Sequence, residues 1–282
     1  MPDLFYLVSK WWKQILAIVV ISMVAVSIVL YLMPVKYLST ATALPASSFA
    51  SDKAGIFSNN IQELYPATGT PEDLDVIIGT AQLDTVYLAV AQQFNLAGHY
   101  KVKEQGDAAT RKAAYLLKIN TKVIRSAYNE LKVKVWDGDK TLAPQMANAI
   151  IDKLQAIHQD LQSSNNTTLV KSLWAGKEKM QKDFDSINNY LRKAVLDEDL
   201  SVNDVARRTS LTSQLQQYEK LINEYQLLVD NKPPVLIIVE KARVTDWPDK
   251  PKQLPILVAT FILSLLFAFF VTLLIEKRKS MR

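Results

Sequence analysis

The sequence predicts an α+β protein in which two transmembrane helices flank a domain of mixed strand and helix that carries a long helical hairpin. Three observations predict it. Two uncharged apolar runs, Ile15–Met33 and Leu254–Ile275, stand near the ends of the 282-residue chain. Between them, short runs of β-branched or alternating residues read as strands. Over about 142–230 the apolar residues recur at steps of three and four, the spacing of helices that pack on one another.

The first run, ILAIVVISMVAVSIVLYLM, has Ser22, Ser27 and Tyr31 as its only polar members. As a helix its 19 residues rise about 28 Å, close to the roughly 30 Å of bilayer hydrocarbon. The second run has 22 residues and rises about 33 Å. Trp11 and Trp12 stand at the entry of the first, where amphipathic rings favour the headgroup layer. Pro255 falls in the first turn of the second, where its missing N–H is not needed. A cleaved signal peptide is the competing reading of the first run, with Lys10 and Lys13 as its basic flank and Ala41-Thr42-Ala43 as a cleavage site. The run is longer than an ordinary signal core and lies well upstream of that triplet, so an uncleaved anchor is expected.

Basic residues set the orientation. Residues 1–14 and 276–282 hold Lys10, Lys13, Lys277, Arg278, Lys279 and Arg282, so both tails are expected in the cytoplasm. Residues 34–253 carry 27 of the 33 basic and 26 of the 28 acidic residues and are nearly neutral. The net charge of +5 is therefore a topology signal, and nothing points to nucleic acid.

Within 34–253, Val35–Leu44 reads as a strand leaving the membrane. Pro71–Leu96 reads as one helix, with Thr70 as cap, Pro71 at its first position and Glu72 and Asp73 at the positive end of its dipole. Glu130–Trp136 alternates strictly, with Leu131, Val133 and Val135 on one face. A helix follows from Asp139 to Ser163, with Met146, Ile150, Leu154, Ile157 and Leu161 on its apolar side. A second stretch carries Leu169, Leu173, Met180, Phe184, Ile187, Leu191 and Ala194. A third carries Leu211, Leu215, Tyr218, Ile222, Tyr225 and Val229. The polar break Asp197–Ser210 lets the chain turn back between the second and third. Tyr218 and Tyr225 read as packing residues at helical spacing. Val235–Val239 is a short buried strand that Ala242–Thr245 continues.

Composition excludes several kinds of chemistry. Without cysteine there is no disulfide scaffold, thiol nucleophile or thiolate zinc site. Two histidines, His99 and His158, leave little for a metal centre or triad, and His158 reads as a surface residue of its helix. Seven glycines form no phosphate-binding loop, since Glu178 follows Gly176-Lys177 where Ser or Thr is required. The chain is expected to be no enzyme, with no catalytic residue, metal or cofactor.

The order of these pieces resembles the polysaccharide co-polymerases, the Wzz or chain-length-determinant family, over nearly the whole chain. Residues Pro34 to Leu44 (PVKYLSTATAL) look like the family's strand leaving the membrane. Val133 to Ile150, a strand and DGD turn followed by LAPQMANAI, look like its strand leading into an Ala-Asn helix. Ala242-Arg243-Val244, followed by Pro248, Pro251 and Pro255, looks like its membrane-proximal proline segment before the second span. Residues 165–230 depart from the family in detail. The resemblance implies a periplasmic α/β base domain over 34–253, with a helical hairpin at about 142–230, between transmembrane helices at 15–33 and 254–275. It implies an inner-membrane homo-oligomer that regulates the chain length of a surface polysaccharide, such as O-antigen of lipopolysaccharide, capsule or exopolysaccharide. The implied partners are a membrane polysaccharide polymerase, lipid-linked or growing polysaccharide, and the lipid bilayer. Small residues at Ala17, Ser22, Ala25, Ser27, Ala259, Ser264 and Ala268 suit close helix packing within it. Two alternatives remain open. One is a membrane adaptor of capsule or exopolysaccharide export that works with a separate tyrosine kinase. The other is a two-span anchor or sensor with no glycan role, for which the tails are expected to be too short to hold a signalling domain.

Overall fold

The structure is a computed structural model and describes residues 4–46, 69–196 and 202–280. In chain order its elements are α1 (Leu4–Leu32), β1 (Tyr37–Pro45), α2 (Pro71–Thr80), α3 (Asp84–Gln93), α4 (Leu96–His99) and α5 (Asp107–Ile119). There follow β2 (Thr121–Arg125), β3 (Leu131–Asp137), α6 (Leu142–Leu196), α7 (Val202–Asn231), β4 (Leu236–Glu240) and α8 (Gln253–Ser280). Helix dominates, and the four strands form one sheet in the order β2-β3-β1-β4. The chain folds as two units, Met1–Ser39 with Val135–Gln145 and Arg243–Arg282, and Thr40–Lys134 with Met146–Ala242.

In the first unit, Lys10–Leu32 of α1 and Gln253–Lys277 of α8 are each long and apolar enough to cross a membrane. The two helices pack together. Their seam buries Leu30 of α1 and Ser264, Ala268 and Thr272 of α8, the last three spaced by four and so on one helical face. Both hydroxyls in that seam are satisfied on their own helix. Ser264 Oγ donates to the Phe261 carbonyl at 2.9 Å and Thr272 Oγ1 to the Phe269 carbonyl at 2.8 Å. An apolar seam can therefore hold them without an orphaned donor. The expected small residues divide: Ser264 and Ala268 are buried and Ser22 is half-buried, while Ala17, Ala25, Ser27 and Ala259 face outward. At one end of the pair Lys10 Nζ and Trp11 Nε1 both donate to the Glu276 carboxylate, at 2.7 and 3.0 Å.

The second unit begins with a short-helix layer. The α2 start is capped as its sequence predicts: Thr70 accepts from the Asp73 N–H, Asp73 accepts from the Thr70 N–H, and Pro71 opens the helix. The expected single helix over Pro71–Leu96 is instead α2, α3 and α4, with α2 and α3 bent by 62°. Asn95, left-handed at φ 47°, separates α3 from α4, and a contact from α5 meets the α2–α3 break. Lys118 Nζ on α5 donates there to the Gln82 carbonyl and to Asp84 Oδ1, both at 2.7 Å. Together α2 and α3 also reach the length and composition of a span, but Leu74, Ile77, Val86, Tyr87 and Val90 are spent on the domain core. Helix α5 and strand β2 were not expected. Ala109, Ala113, Ala114 and Leu117 form the buried stripe of α5. Strand β3 buries Leu131, Val133 and Val135 on alternate positions, and β1 pairs antiparallel with β4 through a bulge between Thr42 and Ala43.

Helix α6 is continuous for 55 residues, about 80 Å of rise, where the sequence suggested separate stretches. Much of the supposed break is also helix, since α7 begins at Val202; residues 197–201 and the Ala194 side chain lie outside those described. Contacts at 160 with 232, 176 with 218 and 191 with 211 show that α6 and α7 run antiparallel. Ile187, Leu191 and Leu211 form a buried cluster with Met180 and Phe184 against it. The α6 seam starts from Val170, which is buried, and not from Leu169, which is exposed. Val170, Leu173, Lys177, Met180, Phe184, Ile187 and Leu191 then alternate strictly by three and four. Lys177 sits in that row because its stem lies in the seam while its ammonium pairs with Glu219 at 3.7 Å.

Candidate functional site at the span junction

Helix α1 ends at Leu32 and Pro34 prevents its continuation. Four residues after Leu32, Lys36 meets the proline segment that precedes α8. The Lys36 N–H donates to the Lys250 carbonyl at 3.0 Å, and the Lys36 carbonyl accepts from the Asp249 N–H at 2.9 Å and the Lys250 N–H at 3.2 Å. The chain leaving one apolar helix and the chain entering the other are thus bridged through their backbones.

Side chains reinforce the bridge on either side. Trp136, near the end of β3, donates its indole N–H to Asp249 Oδ2 at 2.7 Å, and Lys250 Nζ lies 4.1 Å from the centre of the same ring. Both polar contacts sit at the Lys36 bridge, so Trp136 ties β3 to the proline segment through a hydrogen bond and a cation–π contact. Upstream, Ser39 Oγ donates to the Arg243 carbonyl and Thr245 Oγ1 to the Leu38 carbonyl, each at 2.7 Å. The sequence pattern predicts that Ala242–Thr245 extends β4. It instead runs beside β1 on these hydroxyl contacts, and β4 ends at Glu240.

In the second unit, Asn148 explains that ending. The Ala242 N–H donates to Asn148 Oδ1 at 2.8 Å, and Asn148 Nδ2 donates to the Ala242 carbonyl at 3.3 Å. One side-chain amide satisfies both backbone groups of a buried residue, as a neighbouring strand would. Its flanking residues Ala147 and Ala149 are buried, so small side chains bring the amide close.

The DGD turn after β3 starts α6. Buried Asp137 accepts from the Asp139 N–H at 2.8 Å, and Asp139 Oδ1 accepts from the Thr141 N–H at 2.8 Å and the Leu142 N–H at 3.4 Å. Asp139 thereby supplies the acceptor that the first turn lacks.

The three sequence-selected prolines punctuate this junction. Pro248 precedes Asp249, Pro251 follows a cis peptide bond from Lys250, and Pro255 lies in the first turn of α8. Pro248 and Pro255 are exposed and Pro251 is half-buried. The partners they bracket, Trp136, Asp249 and Lys250, were not singled out from sequence. His158, expected at the surface, is buried at 8% exposure, with its Nε2 unpartnered. It takes a core position because the buried stripe of α6 runs Ala147, Ile151, Leu154, His158, leaving Leu161 outside. Burial disfavours the imidazolium and holds its pKa below the ordinary 6.5. Tyr218 and Tyr225 are half-buried on the α7 seam. Among the described residues, no group of three or more Asp, Glu or His side chains is placed to hold a metal ion.

No protein-family model matches the sequence, and no curated relative does. Solved structures to which the chain is similar include a full-length bacterial polysaccharide co-polymerase, at 14% identity and a TM-score of 0.43, covering 99% of this chain and 98% of that one. A fragment of WzzB, a polysaccharide co-polymerase from Salmonella Typhimurium, is similar at 11% identity and a TM-score of 0.33, covering 77% of this chain and all of that one. A point mutant of the Shigella flexneri lipopolysaccharide O-antigen chain-length regulator WzzBSF is similar at 14% identity and a TM-score of 0.24, over 76% of this chain and 100% of that one.

Proposed function

We propose that the chain is an inner-membrane polysaccharide co-polymerase, with both termini in the cytoplasm and residues 34–253 in the periplasm. On this reading it regulates the length of a surface polysaccharide by organising a membrane polymerase and performs no catalysis. The observation that carries the reading is the backbone bridge between Lys36 and Asp249–Lys250 at the exit of both apolar helices. A protein that conveys geometry from the bilayer to an external domain needs a stiff joint at that place. The hydrogen bond and ring contact of Trp136 supply one, and Pro248, Pro251 and Pro255 each fix φ near −65° beside it. A homo-oligomer is part of the proposal, and so is contact with the lipid-linked or growing polysaccharide. The experiment is deletion of the gene followed by a gel of surface polysaccharide. A modal band replaced by a broad, mostly shorter ladder is the expected result, and an unchanged ladder refutes the reading. Complete loss of polymer would favour the export-adaptor alternative.

A further inference from the structure

Trp247 is 82% exposed, although Trp is the side chain with most to gain by leaving water. Its position is not that of a loose loop tip. Two residues before it, Thr245 is fastened to the Leu38 carbonyl; two residues after it, Asp249 is fastened to the Lys36 carbonyl and to Trp136. The five residues 245–249 therefore form a strap tied down at both ends, with the indole at its middle. The strap also lies close to the end of a span. Lys36 is four residues past Leu32, at most about 14 Å even if fully extended. The headgroup layer adds roughly 5–8 Å beyond the hydrocarbon on each side.

Other side chains of this unit expose apolar or aromatic surface at the same level of the chain. Tyr31 is 89% exposed in the last turn of α1, Leu254 is 74% exposed in the first turn of α8, and Val35 and Val244 are exposed beside them. Exposed Arg243 and Lys252 add cations that complement lipid phosphates. Aromatic side chains at both ends of a span prefer this layer, where the ring leaves water and the N–H keeps a partner.

We infer that the 245–249 strap is an interfacial anchor, with Trp247 bedded in the phospholipid headgroup layer at the bilayer surface from which α1 emerges. The inference rests on α1 and α8 crossing the membrane and is independent of any role in glycan length. Its consequence is a third fixed point on the bilayer, next to the bridge between the two spans.

The test uses the full-length protein in vesicles of phosphatidylcholine and phosphatidylglycerol, with and without lipids brominated high on the acyl chain. Subtracting the tryptophan emission of Trp247→Ser from that of the wild type isolates Trp247. Brominated lipid should lower that component at least about twofold, and aqueous iodide should lower it far less. The Trp11 and Trp12 emission, isolated in the same way with a Trp11→Phe/Trp12→Phe variant, reports whether α1 lies in the bilayer. If that emission is quenched while the Trp247 component answers only to iodide, the anchor is refuted and the spans stand. If neither is quenched by bromine, the spans and the anchor both fall. A Trp247 component shielded from both quenchers means that protein covers the indole, and that result also overturns the inference.

Discussion

Gly176 stands in the middle of the 55-residue α6, where a glycine costs about 1 kcal/mol relative to alanine. The structure accounts for its presence. A Cβ at 176 would lie 2.8 Å from Cε1, 3.0 Å from the hydroxyl oxygen and 3.1 Å from Cζ of Tyr218 on α7. The ring packs directly on the α6 backbone, so Gly176→Ala sets two effects of similar size against each other. Helix propensity favours the alanine by about 1 kcal/mol, and displacement of the ring opposes it by about 1–3 kcal/mol. The net expectation is destabilisation of about 1 kcal/mol, or a fall of about 2–4 °C in melting temperature. In a Tyr218→Ala background the clash is gone and only propensity remains, so the same substitution should raise the melting temperature by about 2–4 °C. The assay is thermal unfolding of the detergent-solubilised full-length protein, followed by circular dichroism, for all four members of the cycle. A Gly176→Ala effect of the same sign and size in both backgrounds would refute the packing argument, because a double-mutant cycle reads only the coupling between the two sites.

Asn148→Ala leaves both backbone groups of buried Ala242 without their partner, so it should cost about 1–3 kcal/mol in thermal unfolding; an unchanged melting temperature would contradict the role given to that amide. His158 should impose a pH dependence on stability. Its pKa is depressed in the folded protein, so the unfolded chain takes up the proton first, and stability should fall as pH drops below about 6.5. His158→Leu should flatten that part of the curve, and identical slopes for the two proteins would show that another group titrates. On α7, Ile222 is 4% exposed, and Ile222→Asp places an unpaired charge in the seam. If the hairpin also holds copies together, light scattering should show a smaller detergent-solubilised complex for this variant, whereas a wild type that is already monomeric would remove the oligomer from the proposal.

What could be read from the sequence was local. The two apolar runs, the Thr70 cap, the alternation of β3 and most of the α7 seam depend on neighbours a few residues apart, and spacing reveals them. What could not be read was set by distant partners. Trp136 and Asp249 are 113 residues apart, Asn148 and Ala242 are 94 apart, and no pattern near any of the four announces the contact. Lys118, reaching from α5, is bonded at the first break in what reads as a single helix over 71–96, and Asn95 in the left-handed conformation marks the second. The register of the α6 seam was hidden by a lysine, since a charge at 177 masks the regular alternation that begins at Val170. His158 was misplaced for the same reason: polarity suggested the surface, and the phase of the buried stripe put it inside. The prolines of the junction were visible, but the Trp136, Asp249 and Lys250 contacts that brace the segment became visible only in three dimensions.

The proposed role requires this chain to change how many repeats are joined and to leave the chemistry of each repeat alone. The most direct measurement is the distribution of repeat number, together with the sugar composition of the repeat, for surface polysaccharide from a deletion strain with and without the wild-type gene restored. One repeat composition is expected throughout, with a modal distribution that disappears on deletion and returns with the gene. A distribution that does not change when the gene is restored, or a repeat whose composition changes with it, would rule out length regulation.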